Sequence, residues 1–91
     1  MPPIKEGDVV VSLSGRDRGR LFFVLSCDEK TVTLADGRVR RVARPKRKNR
    51  RHVALSAYES PVLREHLSSG APLTDAVLRK TLSALTDGPT P

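Results

Sequence analysis

With 91 residues, the chain has room for one folding unit and a short appendage. Hydrophobic residues make up 37% and the aromatics are Phe22, Phe23 and Tyr58 alone, so the core is expected to be aliphatic and too thin for a deep catalytic cavity. The balance of 17 Lys and Arg against 10 Asp and Glu, a net charge of +7, points to an anionic partner. The longest apolar run, Leu21 to Leu25, is far short of the roughly 20 residues of a membrane span, and the N-terminus carries no apolar signal-peptide stretch. The chain therefore reads as cytoplasmic, with no membrane partner. One cysteine, Cys27, and two histidines, His52 and His66, supply neither an internal disulfide nor a zinc set.

Residues 1–7, with two prolines, read as a flexible lead-in. From Asp8 the β-branched run to Leu13 predicts a first strand, stopped at Ser14-Gly15, and Ser14 to Gly19 is a loop. Arg20 to Cys27 predicts a second strand. Leu21, Phe23 and Leu25 fall on one face and Phe22 and Val24 on the other, so this strand is expected at the centre of a sheet. After the Asp28-Glu29-Lys30 turn, Thr31 to Leu34 alternates as a half-solvated third strand. Asp36-Gly37 predicts a tight hairpin leading to a fourth strand over Arg38 to Val42, ended by Pro45. Lys46 to Arg51 then reads as a basic loop, and His52 to Leu55 as a fifth strand.

Composition shifts after that point. Ser60-Pro61 sets an N-cap with proline at the first helical position, and Gly70 a stop, which predicts a helix over 61–69. Thr74 caps a second helix with Asp75 in its first turn, a Leu73–Leu78 staple and a Leu78, Leu82, Leu85 stripe, ending before Asp87-Gly88-Pro89. Both helices are too short to stand alone and must dock. The expectation is a mainly β fold: a small SH3-like barrel of about five strands over 8–56, a helical appendage over 57–86 packed on it, and a flexible tail over 87–91.

The positive charge is concentrated. Arg38, Arg40, Arg41, Arg44, Lys46, Arg47, Lys48, Arg50 and Arg51 lie within 38–52, where no acid interrupts them. Seventeen cations less these nine leave eight against ten acids elsewhere, so the rest of the chain is slightly acidic. A solvated charge run is the common meaning of such a tract. Here it lies between predicted elements, and seven of its members are arginines, whose planar fork pairs phosphate bidentately. The loop between the first two strands adds Arg16, Arg18 and Arg20, with Gly15 and Gly19 as its architecture and Asp17 placed to hold an arginine.

The segment Val9 to Val24, a strand, a glycine-framed charged loop and a second strand, resembles the KOW motif of ribosomal proteins and of NusG-type transcription factors. Together with the Asp-Gly turn, the Arg-Pro-Lys-Arg-Lys tract and the two capped helices, the chain from Asp8 to Leu85 resembles bacterial KOW-domain RNA-binding proteins related to the L14e-type ribosomal proteins. The resemblance implies an SH3-like barrel whose loop after the first strand approaches RNA or protein.

Charge and resemblance together predict a non-enzymatic protein that binds RNA, ribosomal RNA or the ribosome, through the loop arginines and the tract. RNA is preferred to DNA because the charge sits outside the helices, leaving no recognition helix for a major groove. No catalytic constellation, nucleotide-binding glycine fingerprint, cofactor motif or small-molecule substrate site is legible. A second reading makes the chain a protein-interaction module docking on ribosomal or transcription proteins, with Leu73, Leu78, Leu82 and Leu85 as part of the partner surface. Their burial within the chain is the simpler expectation.

Overall fold

Side-chain alternation sorts the apolar residues of the strands onto two faces of a single sheet. In the computed structural model, which describes residues 3–87 and side chains as far as Leu85, the strands are β1 (Val9–Ser12), β2 (Leu21–Cys27), β3 (Thr31–Ala35), β4 (Lys46–Asn49) and β5 (Val53–Leu55). They pair antiparallel in the order β4-β3-β2-β1-β5. Val10, Phe22, Val24, Val32, Leu34 and Val53 form the core on one face. Val9, Phe23 and Ala35 form the other with Leu63, Leu78 and Leu82 from the helices α1 (Pro61–Ser69) and α2 (Asp75–Asp87). β2 feeds both cores and is the middle strand, as its two apolar faces require.

The sheet curls into a barrel-like shape. In a flat sheet β4 and β1 would stand roughly 14 Å apart, beyond the reach of one lysine. Yet Lys48 Nζ on β4 donates to Ser12 Oγ on β1 at 2.7 Å and to Ser14 O at 2.8 Å. The two edge strands, β4 and β5, are joined by a single 3-10 turn, Arg50–His52.

Two expectations change. Arg38 to Val42 is not a strand, because Asp36 closes this segment on itself. Its Oδ1 accepts from the amides of Arg38 and Arg40, both at 2.9 Å, while Arg40 O accepts from the amides of Asp36 at 2.9 Å and Gly37 at 3.2 Å. The amide of Val42 donates to Asp75 Oδ1 of α2 at 2.8 Å, so that it is held by a helix and not by a strand ladder. The place beside β3 is taken by Lys46–Asn49, in the stretch expected as loop, with Leu34 opposite Lys46 and Thr31 opposite Asn49. Pro45 precedes this strand, where its missing N–H costs no ladder bond.

The lead-in is also tied down: Gly7 N–H donates to Val24 O at 2.9 Å, and Ile4 packs against the second core. Residues 1–2 of that lead-in and 88–91 of the expected tail lie outside the described residues.

The helices begin where their caps predict. Ser60 Oγ accepts from the Leu63 amide at 3.2 Å, Thr74 Oγ1 from the Val77 amide at 3.2 Å, and Gly70 ends α1 at φ 74°. Leu73, Val77 and Leu85 join the buried Leu78 and Leu82 against Val9 and Phe23, so the leucine stripe is covered by the chain's own sheet. Arg64 Nη2 on α1 pairs with Asp8 Oδ1 at 3.1 Å. Tyr58 remains 39% exposed between β5 and α1. His66 on α1 is half-buried, with Nδ1 buried and without a partner among the described residues. No helix among the described residues is long and apolar enough to cross a membrane.

Candidate nucleic-acid interface

The loop between β1 and β2 is built by its backbone. Gly15 at φ 74° and Gly19 at φ 85° occupy the left-handed region, where a side chain is strained. Gly19 N–H returns to Ser12 O at 2.8 Å, and Arg20 N–H to Asp17 O at 2.9 Å. Asp17, 8% exposed, does hold an arginine: its Oδ2 accepts from Arg40 Nε at 3.2 Å and Nη2 at 3.1 Å. This pair joins the loop to the 36–45 segment. Arg18 Nε donates to Leu13 O at 3.3 Å. Arg16 and Arg20 are exposed, and their side chains bond none of the described residues.

On β4, alternation divides the cations. Lys46 and Lys48 face the same way as their partners Leu34 and Val32, toward the barrel opening, whereas Arg47 shares the opposite face with Thr33. Arg47 donates to Thr31 Oγ1 and Asp28 Oδ2, each at 3.3 Å. The Asp28 carboxyl is held down from 3.8 to about 2, chiefly by the Thr31 and Lys30 amides, then by the Thr31 hydroxyl, with Arg47 adding a smaller pull. Arg50 ties the turn to the body of the fold, donating to Asp28 O and Ile4 O, each at 2.7 Å.

The tract thus contains two populations. Arg40, Arg47, Lys48 and Arg50 hold protein groups. Arg38, Arg41, Arg44, Lys46 and Arg51 have no side-chain partner among the described residues, and all five are exposed.

Loop and tract meet at an open cleft of about 530 Å³. Arg16 and Asp17 form one wall, Arg40 comes from the 36–45 segment, and Lys46, Arg47 and Lys48 of β4 form the other. Four cations, Arg16, Arg40, Lys46 and Lys48, therefore gather about one carboxylate, already paired with Arg40, while the Arg47 guanidinium turns to Asp28 on the opposite face. His52 also borders this cleft. Arg20 and Arg38 line a separate cavity, and Arg50 and Arg51 a third. Arg41 and Arg44 border none of the cavities described.

Three ties were not foreseen from the sequence: Lys48 to Ser12, Arg50 to Ile4, and Arg40 as the arginine that Asp17 holds. The one available signal was Ser12 among valines, a hydroxyl that is 1% exposed and needs a donor or acceptor inside. Cys27 ends β2 exposed, with Sγ 3.9 Å from Ile4 O. Among the described residues no group of His, Cys, Asp and Glu is arranged to hold a metal. No protein-family profile matches the chain, and no curated protein matches its sequence.

Proposed function

We propose that the protein is a non-enzymatic RNA-binding protein of the cytoplasm, acting on ribosomal RNA or the ribosome, and that phosphates enter the cleft between the 13–20 loop and β4. The observation that carries this reading is the meeting, in one open cleft, of Arg16 and Lys46 from segments 30 residues apart in sequence, each exposed and without a protein partner. Cations left unpaired in a group of four repel one another, and a polyanion relieves that repulsion. The rigid mounting of the neighbouring Arg40 and Lys48 lowers the ordering cost on binding.

RNA is favoured because the helices offer little charge: Arg64 is paired with Asp8 at 3.1 Å and lies 3.9 Å from Glu59, leaving Arg79 and Lys80. A loop and a short strand suit phosphate geometry and shape better than base edges in a DNA groove. The packing of the α2 leucines on the sheet withdraws them from a partner surface, so that a protein-docking reading would rest on the barrel alone.

The test is an RNA titration at several salt concentrations with Arg16→Gln/Lys46→Gln beside the natural protein. Each lost phosphate contact should flatten the salt slope by about one unit and weaken binding roughly four- to sixfold at physiological salt. Unchanged affinity and slope would remove the cleft from the interface. Crosslinking in cells and sequencing the attached RNA tests the ribosomal assignment, which fails if ribosomal RNA is not enriched.

A further inference from the structure

The 13–20 loop and the 36–45 segment each border a second cavity as well as the cleft. Arg20 ends the loop and borders a different cavity from Arg16, Arg38 stands two residues before Arg40, and both line a cavity of about 170 Å³ with Arg79 of α2. This volume is several times the roughly 30 Å³ of a single water. Its charged lining is three guanidinium groups and Asp36, whose Oδ1 already accepts from two backbone amides.

The guanidinium groups are available. Arg20 and Arg38 bond no described residue through their side chains, and Arg79 makes one long bond, Nη1 to Gly37 O at 3.4 Å. Five N–H donors on each arginine leave most of the set unused. The position of Arg79 is fixed by the backbone beneath it: α2 rests on Gly37, and Asp75 Oδ1 takes the Val42 amide at 2.8 Å. Three arginines from three separate segments thus border one opening, an arrangement that suits the tetrahedral oxygens of a phosphate.

We infer that Arg20, Arg38 and Arg79 form a second phosphate-binding cleft, so that α2 takes part in RNA binding as well as covering the core. The inference rests on the RNA-binding reading above and extends it: one RNA backbone places phosphates in both clefts, on either side of the Asp17–Arg40 pair. Without α2 the second cleft lacks a wall, which gives the appendage a binding role.

The experiment measures binding of a labelled RNA hairpin by anisotropy over a range of salt, using the full chain, Arg38→Gln/Arg79→Gln, and Lys80→Gln. Lys80 is exposed on the same helix and outside the cavity, so its variant removes charge without touching the site. The double variant should bind roughly four- to sixfold more weakly at physiological salt, with the slope flatter by about one unit, and Lys80→Gln should match the natural protein. A steep slope for the natural protein with the double variant indistinguishable from Lys80→Gln would overturn the second cleft and leave the first standing. A flat slope for the natural protein would overturn both. If Arg79→Gln lowers the melting temperature, Arg20→Gln/Arg38→Gln carries the same expectation, since neither side chain holds another part of the fold.

Discussion

Replacing Gly37 by alanine should separate α2 from the barrel. Gly37 has φ +78°, and an added Cβ would sit 3.0 Å from the Arg79 amide nitrogen and well inside contact of the Asp75 carbonyl oxygen. Both neighbours are helix backbone, so the helix itself must retreat. The left-handed backbone alone costs an L-residue about 1–2 kcal/mol. Retreat of α2 also weakens the charge-assisted bond from the Val42 amide to Asp75, a class worth roughly 1.5–3 kcal/mol, and loosens the burial of Leu78. The sum is on the order of 3–5 kcal/mol. Gly19→Ala is the matched control, with φ +85° and no atom within 4 Å of its Cβ, so it should show the backbone cost alone. Urea unfolding followed by circular dichroism measures both. Equal losses for the two variants would mean that α2 does not press on the 36–45 segment, and the reasoning would be refuted.

Two further outcomes follow from single residues. Lys48→Met should lower stability by about 1–3 kcal/mol, because Ser12 Oγ, in a residue 1% exposed, loses the ammonium that reaches it across the barrel. Lys46→Met on the same face should stay within about 0.5 kcal/mol, and paired thermal melts that rank them the other way would contradict the barrel closure. The Asp28 carboxyl, held at about 2 against an ordinary 3.8, stabilises the fold fully above pH 3.8 and loses that contribution as pH falls toward 2. Asp28→Ala should accordingly flatten the dependence of stability on pH within that window, and an acid unfolding profile identical to that of the natural protein would contradict the assignment.

The parts of the fold legible in the sequence are those whose cause is local. β2 announces its central place through two apolar faces, and Ser60, Gly70 and Thr74 mark helix ends through bonds to neighbours three or four residues away. The 36–45 segment misleads because Asp36-Gly37 is a genuine turn signal and the two valines that follow alternate only imperfectly, while Asp36 captures the amides that a ladder would need. β4 was hidden for the opposite reason. Lys46–Asn49 carries no apolar side chain, so nothing in its pattern signals a strand, and lysine on an edge is a common guard against further pairing. The candidate site was legible as a class of residue and in its two segments. Which cations stay free was not, since Arg40, Lys48 and Arg50 find Asp17, Ser12 and Ile4 more than 20 residues away.

The location of the interface is the central claim, and chemical-shift mapping tests it most directly. Titrating an RNA hairpin into the isotope-labelled protein at low salt should move the amides of 14–20, 38–41 and 46–51 together. The amides of 55–62, a stretch in which Leu55, Tyr58 and Val62 are exposed, should stay still. Shifts confined to that stretch, or none at concentrations where binding is measured by another method, would contradict the account.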